Sequence, residues 1–309
     1  MLSPMHSDYL IDDINQRVQT DPEKLIQEAE TEYHRQLNCA IREIGSRRIV
    51  CLAGPSGSGK TTTAHKLKAQ LEQTGRDTIV LSMDDFYKHR SQMPVIDGKP
   101  NPEVLEALEV DLMNEKLQQL LTEGKADLPR YDFTNGSRQD DAVPTVLTAD
   151  GCIIIEGIHG LNEAVSRKFP QNTLYKIYIS PHSGFQKRNG VGIDKRQVRL
   201  IRRLVRDYNH RNSSTLRTMD MWIEVGTAED LFIRPLARLA DLRINTVHLY
   251  EPNVMRNEAI ALLRQLPSDS KYREMAANLI FSLEQFLPLP VSVVPTGSLL
   301  QEFIGKPKK

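Results

Sequence analysis

Cysteine is scarce in this chain, with Cys39, Cys51 and Cys152 the only three in 309 residues. They show neither paired nor metal-type spacing, which argues against a disulfide scaffold and a zinc site. Two of them lie inside apolar runs, where a thiol packs as a small hydrophobe. Long apolar runs are also missing: none approaches the roughly 18 residues a membrane span needs, and the first residues lack the charged-then-apolar pattern of a secretion signal. The expectation is a cytoplasmic protein in a reducing environment, away from the membrane. Neither sign of charge is in excess, since Lys plus Arg and Asp plus Glu both number 40. Such a balance argues against a nucleic-acid partner while leaving room for a local basic face. Repeats and low-complexity tracts are absent. At 39% hydrophobic and 26% charged residues, the chain is ordinary globular material, long enough for one large α/β core with decorations. A homo-oligomer is compatible with this composition.

Against these absences stands Gly54-Pro55-Ser56-Gly57-Ser58-Gly59-Lys60-Thr61, followed by Thr62. It has the strict phosphate-loop form of glycine, four residues and Gly-Lys-Thr. Glycines let consecutive backbone N–H groups turn inward on the α and β phosphates with no Cβ in the way. Lys60 can then reach the β and γ phosphates, and the Thr61 hydroxyl is placed to ligate Mg²⁺. The setting agrees: Ile49 to Ala53 reads as a buried strand, and Ala64, Leu67 and Leu71 recur at helical spacing after the loop. ATP and Mg²⁺ are the ligands expected.

Strand-like and helical runs alternate from Arg48 onward. Strands are expected at Ile49 to Ala53, Thr78 to Met83, Cys152 to Ile155, Tyr175 to Ile179 and Leu242 to Val247, with a helix from Pro102 to Leu121 among the intervening segments. Alternation of this kind predicts an α/β fold of the P-loop NTPase type, a mainly parallel sheet flanked by helices. Residues 1–45 are read as an N-terminal helical extension, 46–252 as the P-loop domain and 253–309 as a C-terminal helical appendage. In the extension, a helix from Pro22 to Ile44 carries Leu25, Ala29, Tyr33, Leu37 and Ile41 on one stripe. Helices are also expected at Val254 to Leu266, Tyr272 to Phe286 and Ser298 to Ile304.

Open parallel sheets hold their chemistry beyond the carboxyl ends of the strands, and two apolar runs here end in acid. Met83 leads into Asp84-Asp85, and Ile155 into Glu156. One carboxylate facing the γ phosphate can take the proton of an attacking hydroxyl, and another can hold Mg²⁺; Asp84 is assigned the first role and Glu156 the second. An isolated Asp-Asp pair would be read as a cap, and Asp85 is read as a supporting or capping residue. From Lys195 to Asn209, Arg199, Arg202, Arg203 and Arg206 fall on one side of a helix and Ile201, Leu204, Val205 and Tyr208 on the other. A charge run can be a solvated face or an RNA contact; beside a phosphate loop it is read as an arginine-rich lid that neutralises charge during transfer.

Together, Gly54 to Thr62, Ser82 to Tyr87, Leu128 to Phe133, Ile154 to Leu161 and Arg202 to Asp207 make the chain resemble the uridine kinase and phosphoribulokinase family over roughly Arg48 to Tyr250. Glu106 to Leu108, Pro129 to Phe133, Glu156 to Asn162 and the ending Ser298 to Gly305 resemble a bacterial uridine kinase-like subgroup. Many of its members carry a ubiquitin-like module ahead of the kinase, which 45 leading residues are too few to hold. The resemblance implies an ATP- and Mg²⁺-dependent kinase with a small hydroxyl acceptor. Asp84 becomes the general base, with Lys60, Arg203 and Arg206 as the catalytic cations. Thr61 and Glu156 become the magnesium residues, and Arg211 joins the loop in holding the nucleotide. Tyr87, Glu103, Tyr131, Phe133 and Ile158 line the acceptor pocket, with Arg203 at its edge. Three positions depart from the family pattern. Glu103-Val104-Leu105 stands where uridine kinases have Asp-His-Pro, Gly136 where they place a pyrimidine-reading His, and Arg211-Asn212-Ser213 where the lid turn has Arg-Gly-Arg. The acceptor is accordingly open between a nucleoside and a sugar phosphate, polyol or pantothenate-like molecule, and a non-catalytic ATP-sensing module is the alternative from another class.

Overall fold

The computed structural model describes residues 8–96, 98–139 and 142–305. Five strands form the central sheet: β1 (Ile49–Ala53), β2 (Thr78–Ser82), β3 (Cys152–Glu156), β4 (Leu174–Ser180) and β5 (Leu242–Asn245). Their spatial order is β5-β4-β1-β3-β2, and every pairing is parallel. Strands β1 and β3 are buried at every residue, as the middle of a sheet covered on both faces must be. Successive side chains of a strand point to opposite faces, and the packing follows. Val50 and Leu52 join one apolar cluster, while Ile49, Cys51 and Ala53 join the other. Cys51 and Cys152 are part of these clusters.

The covering helices, in chain order, are α1 (Ile11–Thr20), α2 (Pro22–Ile44), α3 (Lys60–Gln73), α4 (Val110–Glu123), α5 (Lys195–Arg211), α6 (Thr215–Ala228), α7 (Glu251–Leu263), α8 (Arg273–Leu283) and α9 (Gln301–Ile304). Helix α2 starts where its sequence dictates: the Asp21 side chain caps Lys24 N–H at 3.0 Å and Pro22 opens the first turn. Its Leu25, Ala29, Tyr33 and Leu37 are buried, each apolar side chain of leucine size worth about 2 kcal/mol in area removed from water. The terminal helices do not stand apart: Leu25, Tyr33, Leu300 and Phe303 belong to the same cluster as Val50 and Ile154.

Two expectations are corrected. No helix begins at Pro102; the backbone from there to Glu109 turns through a short 3₁₀ segment at Leu105–Ala107, and α4 starts at Val110. The reason lies in its partners. Ala107 carbonyl accepts from Lys88 N–H at 2.9 Å, and Glu109 N–H donates to Phe86 carbonyl at 2.8 Å, so this backbone is held across the acidic loop and cannot close helical bonds on itself. Second, α5 is no helix with one wet face. All residues from Val198 to Asp207 are buried, arginines included, while Tyr208, expected on the apolar side, is 51% exposed.

Candidate functional site

The phosphate loop leaves β1 at Gly54, where a Cβ would stand 2.2 Å from the Ile179 carbonyl oxygen; nothing larger than glycine fits between the strands. Gly57 and Gly59 have φ of +75° and +88°, the left-handed region that lets the loop fold over itself. The Ser58 N–H donates to Pro55 carbonyl at 3.2 Å. Helix α3 then starts at Lys60, whose ammonium donates to Pro55 carbonyl at 3.2 Å and so lies along the loop. Beneath, Thr63 donates to Gly59 carbonyl at 2.7 Å and meets the Tyr33 hydroxyl at 2.8 Å, which fixes the loop's floor to α2. Among the described residues, Ser58 Oγ is buried without a partner. An orphaned buried hydroxyl beside a Cβ-free cradle suits a phosphate-bearing ligand.

The carboxylates surround this loop from the neighbouring strand ends. Glu156 Oε1 accepts from Ser82 Oγ at 2.9 Å and from Thr61 Oγ1 at 3.4 Å. Burial, with the charge of Asp84, pushes the Glu156 carboxyl up to about 7, against the pull of Lys60. Thr61 and Glu156 thus supply adjacent hard oxygens of the kind Mg²⁺ selects, and so fit that ion; among the described residues no group of three or more His, Cys, Asp or Glu side chains could hold a metal. Asp84 sits in the 3₁₀ turn Met83–Phe86 directly after β2. The protein walls around it raise its carboxyl above the ordinary range, while Lys60 and Arg211 pull it down. Asp85 turns the other way and accepts Tyr131 N–H at 3.2 Å, the supporting role expected of it.

Across the cleft, Tyr87, Tyr131 and Phe133 form an edge-to-face wall with ring centroids 5.1 to 6.4 Å apart. Tyr87 and Tyr131 are buried and Phe133 is 60% exposed, so the wall has a fixed base and an open rim. Ile158 packs against the same cluster. Glu103 is reached through the loop that replaced the expected helix: Asn101 Oδ1 accepts its N–H at 2.8 Å, and buried His159 Nε2 donates to its carbonyl at 2.9 Å. Burial raises the Glu103 carboxyl, and the charges of Arg203, Asp84 and Lys60 are felt there. Glu103 and Tyr87 therefore lie within electrostatic reach of Asp84, and Glu103 within reach of Lys60 and Arg203 as well.

The arginines of α5 divide. Arg199 and Arg202 are buried structural cations: Arg199 donates to both Glu229 carboxylate oxygens at 2.7 and 2.8 Å and to Ser56 carbonyl at 3.2 Å, and Arg202 binds Glu251 and the Gly57 carbonyl. Arg203 donates to Ser56 Oγ at 2.8 Å and lies 3.3 Å from Asp207, which Arg206 also grips at 2.7 Å. Arg211, 3.8 Å from Asp207, keeps a 60% exposed side chain. Asp207 thus gathers the three arginines assigned to phosphate. Sequence reasoning passed over it, although its place four residues after Arg203 and four before Arg211 was a readable signal. Glu229, Glu251 and Ser82 carried no such signal.

The model of the Phosphoribulokinase / Uridine kinase family matches residues 49–251, the span that holds the five sheet strands and helices α3 to α6 and ends at the first residue of α7. The chain belongs to this family. It is 31% identical over 196 residues to a uridine kinase of Lactobacillus johnsonii, covering 63% of this chain and 84% of that one. A uridine kinase of Leuconostoc citreum is 28% identical over 221 residues, covering 70% and 97%. A solved structure of a possible uridine kinase from Bacillus stearothermophilus superposes at a TM-score of 0.39 with 23% identity over 47% of this chain and 79% of its own. A P-loop kinase is the activity class the family carries. Among the described residues, no helix is long and apolar enough to cross a membrane.

Proposed function

We propose that this chain transfers the γ-phosphoryl group of ATP to a hydroxyl of a small acceptor, a nucleoside in the leading reading. One observation carries it: Asp84 directly follows β2, the strand paired with β3, close enough to Lys60 and Glu156 for its charge to act on both. Gly54 to Thr62 hold the triphosphate. Asp84 takes the acceptor proton as the hydroxyl oxygen bonds to the γ phosphorus and the bond to the β–γ bridging oxygen breaks, releasing ADP. Its raised basicity suits that task. Lys60, Arg203 and Arg206 neutralise charge on the transferred group, and Arg211 closes from the rim. Thr61 and Glu156 would hold Mg²⁺, which supplies charge neutralisation between the phosphates. The aromatic wall and Glu103 orient the acceptor, and positioning provides much of the acceleration.

A second reading of the acceptor has its own support. Gly136 carries no side chain, and a Cβ there would meet Arg90 at 3.0 Å from Nε; the arginine stem lies over the position where the family resemblance places a base-reading histidine. The Arg90 N–H donates to Gly136 carbonyl at 2.8 Å, and its charge is felt by the Tyr131 hydroxyl. A guanidinium at the aromatic wall favours an acceptor with a phosphate or carboxylate. Incubation of purified protein and radiolabelled ATP with nucleosides, polyols, sugar phosphates and pantothenate tests both readings. Phosphorylation of nucleosides alone upholds the first, and of anionic acceptors the second. ATP binding with acceptor-independent or absent ADP release across the whole panel would instead mark a sensing module.

A further inference from the structure

Helix α9 returns to the phosphate loop from 240 residues away and places an acid on it. Glu302 Oε2 accepts the Thr62 hydroxyl at 2.6 Å and the Thr62 backbone N–H at 3.3 Å. Thr62 is the third residue of α3, so its N–H is one of the four that a helix start leaves without an internal partner. Those N–H groups, aligned with the helix dipole, are what a phosphate loop offers to its anion. Among the described residues no cation pairs with Glu302; its partners are the Thr62 donors. Its charge is also felt at Lys60 and Glu156.

The segment that presents it is firmly seated. Leu299 lies on the bare α-carbon of Gly59, its Cδ1 2.6 Å from where a Cβ would stand. The Phe303 ring covers the Arg202 guanidinium at 5.1 Å, and Ser298 Oγ caps Leu300 N–H at 3.1 Å and lies 3.3 Å from the Tyr250 hydroxyl. Leu299, Leu300 and Phe303 have no exposed surface. Glu302 itself is half-buried, so its side chain can turn away while the helix stays docked.

We propose that Glu302 is a built-in competitor for the phosphate chain: its carboxylate occupies donors that the nucleotide needs, and nucleotide binding turns it out. The inference rests on the reading of Gly54 to Thr62 as the triphosphate site. Two anions do not share one hydroxyl and one N–H, so each bound nucleotide displaces the carboxylate and affinity is set below what the loop alone would give.

The test is equilibrium binding of ATP to the full chain and to its Glu302→Gln and Glu302→Ala variants, each checked for an unchanged fold by its melting transition, with a crystal structure of the ATP complex. Glu302→Ala is expected to bind ATP about tenfold tighter, the scale of one lost charge-assisted hydrogen bond, with Glu302→Gln between it and the wild type. The complex is expected to show Thr62 turned to phosphate and Glu302 swung off. Unchanged or weaker binding in Glu302→Ala overturns the proposal, as does a complex in which Glu302 still holds Thr62 beside bound ATP; in either case the triphosphate site stands. Binding in none of the three proteins overturns the site and the competitor together.

Discussion

Glu251 accepts two hydrogen bonds from the Arg202 guanidinium, 2.6 Å from Nε and 3.1 Å from Nη2, where the two side chains are 0% and 2% exposed. The other face of that guanidinium holds the Gly57 carbonyl at 3.2 Å and the Thr246 carbonyl at 2.7 Å. This pair is therefore the strut between α5, α7 and the crest of the phosphate loop. Arg202→Met strands a buried carboxylate and frees Gly57, and is expected to destabilise the fold by about 3–5 kcal/mol. Urea denaturation measures this. A loss below about 1 kcal/mol would show that water or a neighbour compensates Glu251 and that the strut is unnecessary.

Asp84→Asn keeps the shape of the side chain and removes its basicity. Turnover is expected to fall by about 10²–10⁴-fold, with ATP affinity nearly unchanged, because among the described residues Asp84 makes no hydrogen bond to the phosphate loop. Steady-state kinetics alongside calorimetric ATP binding separate the two. Equal turnover in mutant and wild type removes Asp84 as the base.

Glu156→Gln retains the bond from Ser82 but halves the oxygens offered beside Thr61 and removes their charge. Chelating Mg²⁺ should abolish transfer in the wild type, and the variant should require at least about tenfold more Mg²⁺ to reach half its own maximal rate. A Mg²⁺ titration with the same midpoint for both proteins would place the metal elsewhere.

Much of this site lies in short stretches of sequence. The phosphate loop, the apolar strand before it and the acids after β2 and β3 are each contiguous, so motif and periodicity reveal them together. The rest depends on partners far along the chain. Burial of Arg199 and Arg202 follows from Glu229 and Glu251, 30 and 49 residues later, and spacing alone cannot tell an arginine in water from one paired inside. The loop from Pro102 to Glu109 has helix-compatible residues whose backbone is claimed by Phe86 and Lys88, a tertiary override of local preference. Glu302 on Thr62 has no local signature.

Glu30 links α2 to the segment between β5 and α7 through the Tyr250 hydroxyl at 2.6 Å and His248 Nε2 at 3.5 Å. Burial would raise its carboxyl, but bonds and charge from His248, with the Ser298 and Tyr250 hydroxyls, outweigh that and hold it at about 2 against an ordinary 4.5. A carboxyl held down in the folded state stabilises fully above its ordinary value and loses that contribution as the pH falls toward 2. Glu30→Gln should therefore be less stable than the wild type at pH 7, by up to about 3 kcal/mol, with the gap closing between pH 4.5 and 2. Denaturant melts across that range check it, and a gap independent of pH would assign the effect to packing.

Arg90 offers a way to separate the two acceptor readings by kinetics rather than by a product list. Its guanidinium has no carboxylate partner among the described residues and lies where Gly136 leaves room. For an anionic acceptor, Arg90→Ala removes ground-state and transition-state attraction alike, so KM should rise by about tenfold or more while kcat holds. For a neutral nucleoside the same substitution removes nothing that is charged, and both constants should stay within about twofold. Because the side chain is exposed and, among the described residues, makes no hydrogen bond or ion pair with Asp84 or the phosphate loop, ATP binding serves as the internal control. A matched fall in kcat for every acceptor would mean that the arginine shapes the aromatic wall through Tyr131 instead of holding an anion, and would return the choice of acceptor to Glu103 and the three rings.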